Sequence, residues 1–122
     1  MNRSQNGYAD NIESETLANS AYRKVLFTGS NMQLVLMTLQ PGEEIGEEVH
    51  EEHDQFFRIE EGNATFIMNG EKLELKADDA AIVPAGKIHN VINSGDRLLK
   101  LYTIYAPPEH PEGTVQETKP TE

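Results

Sequence analysis

The chain has 122 residues, of which 21 are acidic and 10 are lysine or arginine, so its formal net charge is −11. This length suits a single domain, and the negative charge disfavours nucleic acid and anionic membrane surfaces as partners, because both would repel it. The sequence has no cysteine, which excludes disulfides, a thiolate nucleophile and thiolate-bound zinc or iron–sulfur sites. Any metal ion would therefore be bound by histidine, carboxylate or amide groups.

The sequence carries no sign of a membrane or export segment. It lacks a run of about 18 apolar residues, which a membrane-spanning helix needs. The first twenty residues are too polar to form the apolar centre of a signal peptide. We therefore expect a cytoplasmic protein.

Both ends of the chain are polar. Residues 1–20 show little periodicity, and residues 107–122 contain four of the six prolines together with acids and threonines. This composition predicts an N-terminal arm over 1–20 and a C-terminal tail over 107–122. The folded domain is then expected over 21–106.

Between these ends, short apolar and β-favouring runs alternate with turn sequences. Eight such runs occur, at 22–27, 31–40, 55–60, 64–68, 71–76, 80–83, 90–93 and 98–105. Glycine, proline, asparagine or aspartate separates nearly all of them, and Asn69-Gly70 is typical of a type I′ hairpin turn. No stretch keeps an apolar face at helical spacing for three turns. The pattern predicts an all-β sandwich or barrel.

Two of the four histidines, His50 and His53, lie in a stretch over 43–61 in which 9 of the 19 residues are acidic. Charge runs usually face water, so a hydrated loop explains most of these acids. The alternative is a cation site. Glu48 and His50 are two residues apart, so on an extended strand both side chains leave the same face and can reach one ion.

Two further residues could complete such a site. Gln55 opens the next apolar strand, and His89 follows the turn Pro84-Ala85-Gly86 at the start of another strand. His53 lies further along the loop and is kept as an alternative ligand. His110 belongs to the predicted tail and is left outside the site.

The spacing of these residues resembles the first of the two motifs of the small cupins, which holds two histidines and a glutamate between glycines. Gly42 opens the motif, His50 matches its second histidine and Gly62 closes it. Glu48 stands at the first histidine position and Gln55 at the glutamate position.

The second cupin motif is also recognisable. Pro84, Gly86, His89 and Asn93 match it, and Asp78 replaces its opening glycine. With the flanking strands the resemblance covers about 22–106, and it implies the fold of a small single-domain cupin, a double-stranded β-helix or jelly-roll barrel. The sequence is also similar to bacterial cupins labelled mannose-6-phosphate-isomerase-like, a label that describes similarity and is not an activity.

The usual cupin site has three histidines and one glutamate, so the resemblance implies that Glu48, His50, Gln55 and His89 bind a divalent first-row metal ion. Ligand number and ligand charge are kept, although an amide oxygen is a weaker donor. Without Gln55, two imidazoles and one carboxylate remain, which is the ligand set of non-haem iron oxygenases. Fe, Mn, Ni, Zn and Cu are not distinguished. Hydrogen bonding across a metal-free barrel mouth stays open as the alternative.

Two functions are compatible with this site. A metal-dependent oxygenase or isomerase would act on a small molecule in a barrel lined by Phe57, Ile59 and Val91. A non-catalytic sensor would bind a small molecule there without a general acid or base. The presence of titratable groups other than the ligands would favour the enzyme. Sugar-phosphate isomerisation is disfavoured, because phosphate needs a basic clamp and only Arg58 and Lys87 lie near the motifs.

We also expect a homodimer. Jelly-roll sheets leave strand edges that have to be covered. The segment 23–27 is a strand that could be exchanged between subunits.

Overall fold

Antiparallel β-strands dominate the computed structural model, which describes residues 2–121. Within these residues the chain forms one helix and nine strands, in the order α1 (Ile12–Ala18), β1 (Arg23–Thr28), β2 (Gln33–Leu39), β3 (Asp54–Glu61), β4 (Asn63–Met68), β5 (Glu71–Lys76), β6 (Ala80–Val83), β7 (His89–Asn93), β8 (Leu99–Ala106) and β9 (Val115–Gln116). The eight apolar runs of the sequence correspond to β1 to β8. The prediction of an all-β fold is confirmed.

The strands form two sheets. One has six strands in the order β6-β3-β8-β2-β1-β9, and the other has three in the order β5-β4-β7. Strands far apart in the chain are neighbours in the larger sheet, as in a jelly roll, and β8 pairs with both β2 and β3.

The core lies between the two sheets. It is formed by the side chains on one face of each strand, because successive side chains point to opposite faces. Phe57 and Ile59 of β3, Phe66 of β4, Val91 of β7 and Leu101 of β8 are at most 1% exposed. Side chains two apart on a strand leave the same face, so each apolar run presents one buried row. Full burial of one such side chain contributes roughly 1.5–3 kcal/mol.

Gly62, in the tight connection between β3 and β4, shows why the first motif closes with glycine. Its φ is +93°, a region that side chains other than glycine rarely adopt. A Cβ at this position would lie 2.5 Å from the carbonyl oxygen of Leu98. Any side chain here would push β8 away from the turn.

The residues of the predicted arm contain α1, which packs against β3 and β8. The side chain of Asn11 caps the helix by accepting a hydrogen bond from the N–H of Ser14 at 2.9 Å, and Thr16 is fully buried. A seven-residue helix has only two turns, too few for a periodic pattern. No helix within 2–121 is long and apolar enough to cross a membrane.

The residues of the predicted tail contain β9, which runs along β1. Arg23 pairs with Gln116 and Lys24 with Val115. Because β2 occupies the other edge of β1, the segment considered for exchange between subunits is paired on both edges within one chain.

Candidate metal centre

The loop before β3 runs beside β7, and this pairing positions Glu48 and His89. The N–H of Glu48 donates to the carbonyl of His89 at 2.9 Å, and the N–H of His89 donates back at 3.0 Å. Residues that exchange both hydrogen bonds lie directly opposite each other, with their side chains on the same face of the ladder. A carboxylate and an imidazole are thus brought together by the backbone.

His50 reaches the same place because it lies two residues beyond Glu48. Its carbonyl accepts a hydrogen bond from the N–H of Gly86 at 2.9 Å, which fixes this part of the loop against the turn before β7. Gly86 has a φ of +86°, and the tight turn needs such a residue. The two cupin motifs therefore meet through main-chain hydrogen bonds.

The three side chains converge closely. Oε1 of Glu48 lies 3.4 Å from Nε2 of His50 and 3.8 Å from Nε2 of His89. One ligand atom from each residue lies within 4.8 Å of the others. Two imidazoles and a carboxylate at this separation can bind a single divalent ion.

The histidine nitrogens that face this space have no other partner. Nε2 of His50 and Nε2 of His89 are both buried, and neither has a hydrogen-bond partner among residues 2–121. A buried polar atom left in this way costs about 1–3 kcal/mol. Such atoms are expected where a ligand or metal ion completes the site.

Gln55 lies on β3 directly opposite Tyr105 of β8, and the ring of Tyr105 is 5.6 Å from that of His50. The side chain of Gln55 is buried, and its Nε2 donates to Oγ1 of Thr103 at 2.9 Å. Oγ1 of Thr103 in turn donates to the carbonyl of Phe56. This chain of hydrogen bonds fixes the amide, and its Oε1 is buried without a partner in the described part of the chain.

Burial shifts the pKa of two groups at the site, His89 and Tyr105, towards their neutral forms. Burial lowers the pKa of His89, against the opposing effects of the Lys87 carbonyl and the Glu48 charge. Metal binding requires the neutral imidazole, so this direction favours it. Burial also raises the pKa of Tyr105 well above its ordinary value, with the Glu48 charge as a further cause. Tyr105 therefore stays a neutral phenol.

A second group of titratable side chains surrounds the site. Oε1 of Glu109 lies 3.0 Å from Nε2 of His53 and 3.8 Å from Nδ1 of His50. Nε2 of His110 lies 3.3 Å from the hydroxyl of Tyr105. Burial lowers the pKa of His110 to about 4. His53 thus borders the site, and its ring is 5.7 Å from that of His50.

From the sequence, His110 was assigned to the predicted tail and left outside the site, and Glu109 was given no role. The structure brings both to the barrel mouth through Gln33, which is fully buried on β2. Oε1 of Gln33 accepts hydrogen bonds from the N–H groups of Glu109 and His110 at 3.1 and 3.0 Å, and its Nε2 donates to the His110 carbonyl at 2.7 Å. A glutamine inside an apolar strand was the available signal, because a buried amide needs partners.

Comparisons with known proteins agree with this architecture. The family profile described as "Cupin domain" matches residues 35–105. The protein named YrkC of Bacillus subtilis strain 168 is 50% identical over 115 residues, which are 89% of this chain and 62% of that protein. The L612 protein of Acanthamoeba polyphaga mimivirus is 42% identical over 118 residues, or 93% of this chain and 73% of its own length.

A solved structure extends the comparison to three dimensions. The crystal structure of BH2720 from Bacillus halodurans is 46% identical, with a TM-score of 0.92 over 96% of this chain and 93% of that one. The similarity therefore includes the ends as well as the barrel. Because the family profile matches more than half of the chain, the chain belongs to the cupin domain family.

Proposed function

We propose that the protein binds one divalent first-row metal ion through Glu48, His50 and His89, with the amide oxygen of Gln55 as a fourth ligand, and acts as a metal-dependent enzyme on a small molecule. The observation that carries this proposal is the pair of buried, unpartnered Nε2 atoms beside one carboxylate. Gln55 supports the same site, because its oxygen is also buried without a partner within 2–121.

The donor atoms suit the ion chemically. Imidazole nitrogen and carboxylate oxygen suit Fe, Mn, Ni, Zn and Cu, and the single carboxylate offsets part of the ion's charge. When bound, such an ion supplies Lewis acidity, and iron or copper can also support oxygen chemistry. An oxygenase or an isomerase is the reaction class that this ligand set supports.

The residues around the ligands support an enzyme rather than a sensor. The carboxylate of Glu109 lies 3.8 Å from Nδ1 of His50, next to the proposed ligand. Tyr105 holds a proton on its hydroxyl, next to Nε2 of His110. Glu109 and His53 form an ion pair at 3.0 Å if His53 is protonated, which provides another place for a proton. A protein that only bound its ligand would need none of these groups.

Metal analysis tests the proposal directly. The full chain is purified without chelator or nickel affinity resin, and its metal content is compared with that of the Glu48→Ala, His50→Ala and His89→Ala variants. The unmodified protein should hold about one ion per chain, and each variant should lose it. His53→Ala is the matched control, because it removes an imidazole beside the site and should retain the ion.

Two results would contradict the ligand set. One is equal metal content in all three variants and the unmodified protein, and the other is loss of metal in His53→Ala alone. Oxygen uptake by the loaded protein against small diketones, thiols and hydroxy acids then separates an oxygenase from a sensor. A sensor would bind one of these compounds without consuming oxygen or converting it.

We further propose that the protein is a homodimer. An apolar row crosses four strands on the outer face of the larger sheet, where Leu34, Ile104, Phe56 and Ile82 are successive neighbours in register. Ile82 is 61% exposed in the single chain, and a second copy would cover it. Light scattering at micromolar concentration should give twice the chain mass, and a monomer would contradict this. The cytoplasmic location stays a prediction.

A further inference from the structure

Arg23, on β1, is a buried cation without an ion pair among residues 2–121. The residue is 8% exposed, and the ion pairs of the described residues join other cations. Nη1 donates to Oε1 of Gln116, and the guanidinium lies 5.1 Å from the ring centre of Tyr22. Nε is buried and has no hydrogen-bond partner in the described chain. An unpaired buried charge is costly, so a site of this kind is expected to have an anionic partner.

The position of Arg23 connects it with the candidate metal centre. Arg23 and Glu48 line the same cavity of about 240 Å³, together with Tyr22, Ile45, Lys119 and Pro120. The charge of Arg23 also contributes to lowering the pKa of His110. A molecule in this cavity would therefore lie beside both Arg23 and Glu48.

Neither of the two cations that the sequence placed near the motifs is both buried and without an ion pair. Arg58 is paired with Asp78 at 2.9 Å and lies 3.6 Å from Glu60. Lys87 is exposed in the turn before β7. Arg23 lies outside both motifs and reaches the barrel mouth because β1 is part of the larger sheet.

The contact of the Arg23 guanidinium with the C-terminal segment does not by itself explain why this cation is buried. The N–H of Tyr22 donates to the carbonyl of Glu117 at 3.1 Å, and the N–H of Val25 donates to that of Thr114 at 2.8 Å. These backbone bonds fix the segment beside β1 without the Arg23 side chain. The side-chain contact with Gln116 uses Nη1 of Arg23 and leaves Nε without a partner.

We propose that Arg23 binds the carboxylate of the small molecule on which the protein acts, so that the ligand is a small monocarboxylic acid. The proposal rests on the proposed function, since it assigns a substrate class to the same site. Guanidinium and carboxylate match in charge and geometry. The cavity is below the range of about 300–1,000 Å³ for drug-sized ligands, so only a small acid fits. The second cation of the cavity, Lys119, donates to the carbonyl of Glu44, and the carboxylate of Glu48 lies in the same lining, so a single negative charge is favoured over a phosphate dianion.

Calorimetric titration with glycolate, a small 2-hydroxy acid, tests the assignment on the full chain loaded with Zn²⁺. Arg23→Gln should weaken glycolate binding by about tenfold or more, and Arg23→Lys should give an intermediate loss, because lysine keeps the charge and loses the planar donors. Lys24→Gln is the matched control. It removes the same charge from the next residue, which is exposed, and should change the affinity less than about twofold.

The unmodified protein provides a test that does not depend on the folding of a variant. Methyl glycolate keeps the hydroxyl and lacks the negative charge, so it should bind the metal-free chain, in which no ion can bind the carboxylate, at least about tenfold more weakly than glycolate. Inorganic phosphate should also bind more weakly. Equal binding of glycolate and its methyl ester, no binding of glycolate at millimolar concentration, or tighter binding of phosphate overturns the proposal.

Metal content, measured on the same samples, separates this proposal from the preceding one. If the ion is present in all proteins and Arg23→Gln binds glycolate as the unmodified chain does, the role of Arg23 is wrong and the metal site stands. If no protein takes up the ion but glycolate binding still depends on Arg23, the metal site is wrong and the carboxylate site stands.

Discussion

Two buried polar clusters in this molecule differ in how completely their atoms are hydrogen-bonded. Beneath α1, Nδ2 of Asn19 donates to Oγ1 of Thr38 at 3.1 Å, Thr38 donates back to the Asn19 carbonyl at 2.8 Å, and Nζ of Lys100 donates to the same carbonyl. No side-chain atom of these three residues is buried without a partner. At the barrel mouth, His50, His89, Gln55 and Arg23 each have one such atom.

The difference separates polar groups that stabilise the fold from polar groups that, under the proposed function, bind a ligand. Both clusters are buried, so burial alone does not identify a functional site. An unpartnered atom raises the free energy of the folded chain by about 1–3 kcal/mol. Four of the buried atoms without a partner lie together at the barrel mouth, and this grouping is what the proposed binding site would explain.

The largest expected effect is on metal affinity at the mouth. His50→Ala or His89→Ala should lower it by more than about a hundredfold, because loss of a group that only orients a ligand already costs about 10- to 100-fold. Gln55→Ala should cost about tenfold or less, since an amide oxygen is the weakest of the four donors. Competition with a chelating dye measures all three affinities. A Gln55→Ala loss as large as that of His89→Ala would contradict this ranking.

The next effect concerns the cluster beneath α1. Thr38→Val keeps the volume and removes the hydroxyl that both accepts from and donates to Asn19. The free energy of unfolding should fall by about 1–3 kcal/mol, because Nδ2 of Asn19 loses an acceptor in a buried site. Urea denaturation measures the change. An unaltered midpoint would show that this cluster contributes no more than the mouth does.

A smaller effect is the pH dependence given by His110, measured on the metal-free protein. Its pKa is about 4 in the folded chain and about 6.5 when unfolded. The unfolded state therefore takes up the proton first, and the stability present above pH 6.5 is lost as the pH falls towards 4. His110 is partly exposed, so solvent screening limits this loss to about 1–2 kcal/mol. His110→Gln should remove that part of the pH dependence, and parallel curves for the two proteins would contradict the prediction.

The smallest expected effect is on the free energy of unfolding, which His89→Leu should not lower, unlike most substitutions of buried residues. In the presence of chelator, His89→Leu removes an unpartnered nitrogen from the mouth and keeps the side chain beside Phe57, whose ring is 5.8 Å from that of His89. The free energy of unfolding should stay the same or rise by about 1 kcal/mol. Thermal unfolding of His89→Leu and of Thr38→Val, measured under the same conditions, compares the two clusters directly. A loss of about 2 kcal/mol or more would show that His89 stabilises the metal-free fold.

The barrel could be predicted from the sequence because the signals that define each strand lie within a few neighbouring residues. Alternation and turn residues define each strand, as in the run that became β4 and the Asn69-Gly70 turn that follows it. The approach of Glu48 to His50 was also predictable, since residues two apart share a strand face. The position of His89 beside them followed from the resemblance to cupins and not from its distance along the chain.

The rest of the site depends on pairings between distant segments. Arg23 reaches the mouth through the neighbours of β1 in the sheet, and Glu109 and His110 reach it through Gln33. Neither pairing leaves a spacing that can be recognised in one sequence. The helix α1 was missed for another reason, because two turns with a single buried residue are determined by what they pack against.

The mutual main-chain hydrogen bonds of Glu48 and His89 have a consequence for assembly of the centre. These bonds belong to the sheet, so two of the proposed ligands are preorganised as soon as the barrel has folded, before any ion arrives. Coordination would then order few additional degrees of freedom and would not have to drive folding, in contrast to small zinc-dependent domains. The backbone amides of both residues should exchange slowly with deuterium in the empty protein. One ion could then be replaced by another without unfolding the chain.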